Sequence, residues 1–323
     1  MLRYVIKRLL ILIPVFLCIA VILFGVAKMM PGDPVRAMLP SNLKHDQYQM
    51  AYDAMYRRLG LDKSIPEQFF AWFFNMLRGE FGWSSMNNRP VIDVIAEPMR
   101  NTVILNIGVI FLQLLIAIPV GIRCAVKRMS VFDNAWQVFS LIFWSMPSFF
   151  LSLCFLYLFS IHLGWLPFGG MPSSVTLSGW AYFFAWIRHM VLPATVLALI
   201  SIAYTIRIVR NSMIDALNQD YIRTARAKGL KEKTVIYSHA FRNALIPIST
   251  VVVFTIFSLF SGSPVTESVF AWHGIGRMLI QAVMMRDTML IVTLNAFFAV
   301  ISLVAVLVAD IVYGLVDPRV RLS

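Results

Sequence analysis

Charged residues along this chain are separated by long apolar blocks rather than spaced at a short period. Six blocks of at least eighteen residues contain no Asp, Glu, Lys or Arg: Leu9 to Ala27, Asn101 to Ile122, Asn134 to Ile161, His189 to Ile206, Asn243 to Thr266 and Thr288 to Ala309. About 20 apolar helical residues cross a hydrocarbon core of about 30 Å, so the pattern predicts six transmembrane helices. The third block continues uncharged to Ile187, but Gly164, Pro167, Gly169, Gly170 and Pro172 interrupt it with turn formers. The aromatic patch that follows, Trp180 to Ile187, is expected at the membrane interface rather than across it. The first block sits behind Arg3, Lys7 and Arg8 and has the look of a cleaved signal peptide, with small residues at Gly25 and Ala27. At 19 residues it exceeds the usual signal core of about 7–15, which favours a retained helix.

The polar segments divide the chain into three parts. Residues 1–28 are a short N-terminus and the first helix, 29–100 a long polar segment, and 101–323 a five-helix core with a basic connecting loop at 207–243. Alternate short connections differ in charge. One side carries Arg3, Lys7 and Arg8, then Arg123, Lys127 and Arg128, then eight Lys or Arg between Arg207 and Arg242, then Arg319 and Arg321. The other side's short loops carry Arg188, Arg277 and Arg286. Because basic residues stay on the cytoplasmic side, both termini are expected in the cytoplasm and 29–100 outside it. Pro66 to Leu77 places five aromatics in a helix-compatible stretch, which suits either a helix on the membrane surface or part of a small folded cap.

Composition agrees with the bilayer as main solvent: 59% of 323 residues are apolar and 14% charged, against about half and a quarter in soluble domains. A net charge of +12 would suggest nucleic acid in a soluble chain. Here the basic residues border apolar blocks, so they report topology and no nucleic-acid partner is implied. Cys18, Cys124 and Cys154 show no paired spacing and are expected to serve packing alone.

No catalytic constellation is visible. His45, His162, His189, His239 and His273 lie in five separate regions, and neither a P-loop nor a metalloprotease or hydrolase signature occurs. A secondary transporter needs ionisable groups near the bilayer midplane. Asp310 comes nearest, yet it lies toward the cytoplasmic end of the last helix and reads as a structural carboxylate. The 207–243 loop contains Tyr221, Ile222, Arg223, Thr224, Ala225, Arg226, Ala227, Lys228, Gly229 and Leu230 in succession. Read as one helix, this places Tyr221, Ala225 and Gly229 along a single face, a mostly small stripe with basic flanks. On residue types alone, an ordinary basic surface helix is the favoured reading.

The Tyr221 to Leu230 segment, running on to His239-Ala240-Phe241-Arg242-Asn243-Ala244-Leu245-Ile246-Pro247, resembles the cytoplasmic coupling loop of binding-protein-dependent ABC importer permeases of the dipeptide/oligopeptide/nickel group. The wider family shows Glu-Ala-Ala, three residues, Gly, nine residues, then Ile-x-Leu-Pro. Arg223-Thr224-Ala225 and Gly229 stand at the first positions, and His239 to Arg242 replace the last motif, as is usual in the peptide group. Other landmarks follow in the group's order: Pro31-Gly32-Asp33-Pro34, Leu59-Gly60-Leu61-Asp62, Gly79-Glu80-Phe81-Gly82, Asn101-Thr102, Ser145-Met146-Pro147, Glu267-Ser268-Val269-Phe270, Gly274-Ile275-Gly276-Arg277, Arg286-Asp287 and Asp317-Pro318-Arg319. His273 departs from the family's common proline.

The resemblance implies an all-α integral membrane protein with six transmembrane helices of the type I ABC importer permease fold, in the cytoplasmic membrane of a prokaryote. It implies a non-catalytic subunit without cofactors, ATP being bound by partner subunits. The implied partners are a homologous second permease, two ABC ATPases, an extracytoplasmic solute-binding protein and the lipid bilayer. Tyr221, Arg223, Thr224, Ala225, Arg226, Ala227, Lys228, Gly229 and Leu230 are then the ATPase-coupling residues, with Ala225 and Gly229 allowing close approach and Arg223, Arg226 and Lys228 holding the partner. Di- or oligopeptides lead as cargo; related systems carry nickel, glutathione or oligosaccharides. A stand-alone secondary transporter, a membrane hydrolase and a scaffold are the rival classes.

Overall fold

A computed structural model describes residues 2–30, 35–36, 39, 44–58, 60–172 and 178–316. The landmarks Pro31 to Pro34, Leu59 and Asp317 to Arg319, and the basic tail at Arg319 and Arg321, lie outside the described residues. The described chain is nearly all helix: α1 (Leu2–Met29), α2 (His45–Arg58), α3 (Ile65–Leu77), α4 (Val91–Val126), α5 (Val131–Ser145), α6 (Ser148–Phe155), α7 (Gly179–Leu217), α8 (Asp220–Ala227), α9 (Glu232–Thr234), α10 (Arg242–Phe257), α11 (Pro264–Val269), α12 (Ile275–Met284) and α13 (Thr288–Val316). One short antiparallel hairpin pairs β1 (Trp83–Ser84) with β2 (Arg89–Pro90).

Five helical stretches are long and apolar enough to cross a membrane, and a sixth candidate is bent. The block expected as the third span is built as α5 and α6, which meet at 102°. Pro147 explains the break, because its ring disfavours helical backbone in the residue before it. Met146 accordingly adopts φ −73°, ψ 130°, and α6 restarts at Ser148. The helices also outrun their charge-free blocks. The fourth occupies all 39 residues of α7, whose first turns include the aromatic patch Trp180 to Ile187. A charge-free run marks the hydrocarbon-compatible part of a helix, whereas backbone hydrogen bonding continues past it at either end.

α7 is central and α1 peripheral: half of α7's apolar window is buried within the protein, against 6% of α1's. Leu105, Val109 and Ala117 of α4 meet Ala194, Ala198, Ile202 and Ile206 of α7 in one core, closed at one end by the fully buried Trp272. At mid-depth the Gln113 amide donates to Thr205 Oγ1 at 2.8 Å and Thr255 Oγ1 at 3.3 Å, joining α4, α7 and α10. α1 lies against α13, where Arg8 pairs with Asp310 at 3.0 Å. Asp310 is therefore partnered, and the start of the first span sits at the same end of the bundle as the close of the last.

The opposite end holds the polar segment. The Glu67 carboxylate accepts the Ser64 N–H at 3.0 Å, fixing the start of α3, and that hydrogen bond holds it below the usual carboxylate range. α3 rests on α1 through Phe69 and Trp72 against Phe24 and Phe73 against Phe16. The hairpin is tied to the start of α13 by Asp287, whose carboxylate accepts from Ser84 Oγ at 2.5 Å and the Met86 N–H at 3.0 Å. Beneath it, Glu267 is wholly buried and accepts from Thr102 Oγ1, the Ser263 N–H and the Arg277 N–H at 3.0, 3.2 and 2.9 Å. Thr102 Oγ1 in turn accepts the Ile275 N–H at 2.9 Å, and the Asn101 amide donates to the His273 carbonyl at 2.9 Å. Three sequence landmarks, Asn101-Thr102, Glu267 to Phe270 and Gly274 to Arg277, thus form one buried knot.

Candidate functional site: the basic loop between α7 and α10

At the end of the bundle that holds Arg8 and Asp310, α7 stops at Leu217 and the chain turns into the eight-residue α8. Ile222 and Ala225 point inward and are buried, joining Val209, Met213 and Ala216 of α7, Val235, Ile236 and Ala240 of the following turn, and Ile122 and Ala125 of α4. Val235–Phe241 is a π-helical turn that leads into α10. The outward side of α8 and its sequel presents Tyr221, Arg223, Thr224, Ala227, Lys228 and Leu230. Burial of part of the ring pushes the Tyr221 phenol up.

This geometry corrects the stripe expected from spacing. Ala225 faces the core rather than a partner, and Gly229 does not continue the helix. Lys228 already leaves it, and Gly229 takes φ +73°. The Gly229 N–H donates to the Arg226 carbonyl at 2.9 Å and the Leu230 N–H to the Ala225 carbonyl at 3.4 Å. This paired arrangement ends a helix through a left-handed residue, the conformation that favours glycine. Gly229 is therefore a helix terminator with open space around it, and it turns Leu230 out to solvent.

The basic flanks also differ from one another. Arg226 is occupied by Glu232, with N–O distances of 2.7 and 3.2 Å, and that hydrogen bond raises the guanidinium pKa further. Arg223 lies 3.6 Å from Asp220, with side chains 80% and 95% exposed, which leaves it nearly fully hydrated. Beside α8 an open groove of about 500 Å³ runs between α7 and α10. Asn211, Ser212, Asp215, Gln219 and Tyr221 line one side and Asn243 and Pro247 the other. Together these make an exposed, cationic helix seated on an apolar cluster. Among the described residues no group of His, Cys, Asp and Glu is placed to hold a metal.

Two features escape a reading of the sequence alone. The first is Asp133, wholly buried at the start of α5 and gripped by Arg210 of α7, with Nε to Oδ1 at 2.6 Å and Nη2 to Oδ2 at 2.7 Å. Ser130 three residues before Asp133 marks a helix start, yet nothing local names Arg210 as the partner. The second is the Glu267 knot, whose landmarks were visible and whose mutual contacts were not. His273 beside the knot is exposed. Burial of part of its ring and the Arg277 charge hold its imidazole below the ordinary value, with Glu97 opposing.

Comparison with known proteins gives a consistent answer over the whole length. Residues 117–322 match the binding-protein-dependent transport system inner membrane component family, and residues 1–106 its N-terminal companion. The oligopeptide transport system permease protein AppB of Bacillus subtilis is 37% identical over 99% of this chain and 100% of its own. The dipeptide permease DppB of Escherichia coli K12 is 34% identical over 99% of each chain. The di/tripeptide permease DppB of Pseudomonas aeruginosa matches to the same extent. A solved structure of the MetNI methionine ABC transporter, in inward-facing conformations, superposes with a TM-score of 0.51 at 17% identity, covering 70% of this chain and 97% of that one. That likeness bears on the fold alone.

Proposed function

This chain belongs to the binding-protein-dependent transport system inner membrane component family, and from that premise we propose that it passes di- or oligopeptides across the cytoplasmic membrane. It is the non-catalytic, membrane-spanning permease subunit of an ABC importer. The observation that carries the peptide reading is the end-to-end similarity to permeases named for oligopeptides and dipeptides.

In this reading ATP is bound and hydrolysed by two partner ATPases. A homologous second permease completes the translocation pathway, and an extracytoplasmic binding protein selects the cargo. Both termini and the 207–243 loop face the cytoplasm, and residues 29–100 face outward. The exposed side chains of Tyr221, Arg223, Thr224, Ala227, Lys228 and Leu230 meet the ATPase. Ala225, Arg226 and Gly229 hold the loop in shape. A partner shifts the inward–outward equilibrium only by touching the two states differently, and a short helix rooted in the bundle's cytoplasmic cluster suits that task.

The test is mild purification from native membranes, followed by mass spectrometry of the copurifying chains and of the ligand released from the binding protein. Two P-loop ATPases and short peptides are expected. A nickel complex, glutathione or a sugar would keep the importer and replace the cargo. Recovery of the intact permease without any ATPase would overturn the coupling assignment.

A further inference from the structure

A docked loop moves cargo only if its displacement reaches the membrane helices. α8 continues the chain from α7 and rests on it by apolar contact, whereas α5 packs beside α7 through apolar and aromatic contacts that resist separation but not sliding. Asp133 and Arg210 supply a link of another kind. Asp133 is 0% and Arg210 15% exposed, and both guanidinium contacts lie below 2.8 Å. A two-point fork between planar groups fixes direction as well as distance. Each partner is also held from its own side. Asp133 Oδ2 accepts the Met129 N–H at 3.0 Å, and its own N–H donates to Ser130 Oγ at 3.2 Å. Arg210 is flanked on α7 by Val209 and Met213, which pack in the cluster that seats Ile222 and Ala225. At its far end α5 breaks at Met146 and Pro147, and between grip and break the buried Ser140 hydroxyl has no hydrogen-bond partner among the described residues.

We propose that Asp133 and Arg210 are positioning residues that clamp the cytoplasmic end of α5 to α7. Displacement of the 207–243 loop then swings α5 about its break instead of sliding past it. The clamp rests on the importer reading above. Its failure can be told from the failure of that reading, because the two are read from different lanes of one experiment.

The experiment reconstitutes the whole complex in proteoliposomes and measures peptide uptake and ATP hydrolysis per assembled complex. Asp133→Asn and Arg210→Gln each leave a buried group of the pair unmatched and are expected to lower the yield of complex. The neutral pair D133N/R210Q is expected to assemble with the ATPases at near wild-type yield and to hydrolyse ATP, while uptake per ATP falls about tenfold, within the usual range of coupling factors. A fold-only role would lower yield and leave uptake per ATP unchanged. An unchanged ratio in the double variant overturns the clamp. If the double variant does not assemble, Arg210→Lys decides, since it keeps the charge and loses the fork; the same fall is expected, and a wild-type ratio overturns the proposal. A wild-type complex that neither holds ATPases nor takes up peptide would overturn the importer reading and the clamp with it.

Discussion

The knot beside the polar segment and the basic loop at the opposite end of the bundle both carry landmarks of the family, yet they treat polar groups in opposite ways. Glu267 is 0% exposed, and its two oxygens take three hydrogen bonds from Thr102, Ser263 and Arg277. Asp220, an equally acidic landmark neighbour, is 95% exposed and only 3.6 Å from an Arg223 that is itself in water. A buried carboxylate must be fully bonded because desolvation is costly. An exposed one is held by water and contributes about 0–1 kcal/mol through its ion pair. The landmarks in the knot therefore fix how the bundle is built. Most side chains of the basic loop stay exposed.

Two glycines sharpen this contrast. At the knot a Cβ on Gly262 would lie 2.2 Å from the Gly276 nitrogen, so backbone meets backbone and neither side can rotate away. Gly262→Ala is expected to lower stability in detergent by about 3 kcal/mol, the upper part of the range for overpacking a fixed site, with a matching fall in membrane abundance. Unchanged thermal stability would mean that the two segments do not cross so closely. In the basic loop Gly229 has nothing within 4 Å of such a Cβ, and only its φ of +73° resists a side chain. Gly229→Ala is expected to cost about 1–2 kcal/mol, confined to the end of α8. The variant should assemble normally and show faster hydrogen exchange at the Gly229 and Leu230 amides; equal exchange rates would sink the helix-terminator role.

The smallest expected effect concerns His273. Its folded pKa lies below the ordinary imidazole value of 6.5, so the unfolded chain binds the proton more readily. The native state is favoured at high pH, loses that advantage as pH falls through 6.5, and loses no more once pH drops below the folded pKa. Replacing His273 by Asn should flatten this dependence of the melting temperature, and an identical slope in the variant would place the titration elsewhere.

Much of this was legible in the sequence. Among the described residues, five of the six apolar blocks coincide with helices long and apolar enough to cross a membrane and the remaining one with the bent pair α5 and α6, because transfer into hydrocarbon is decided residue by residue. The loop that bears the candidate site was also found, from Tyr221 to Leu230. Its internal geometry was misread at Ala225 and Gly229. Spacing at i, i+4 and i+8 assumes a helix throughout, whereas the chain ends α8 at Ala227 and needs Gly229 for the turn. The third block bends between α5 and α6 for a related reason, since an uncharged run by itself does not mark where a helix breaks.

What the sequence alone determined are the properties summed over neighbours: which stretches prefer lipid, which ends carry positive charge, where a helix can start. Tertiary structure decided which face of α8 is buried, where α5 and α6 part, and which acid meets which base. Asp133 and Arg210 are 77 positions apart, and Thr102 and Glu267 are 165 apart. Local periodicity carries no information across such separations. Only the close approach of α4, α5 and α7 brings the first pair together, and only the return of the chain over the N-terminal half of α4 makes the second.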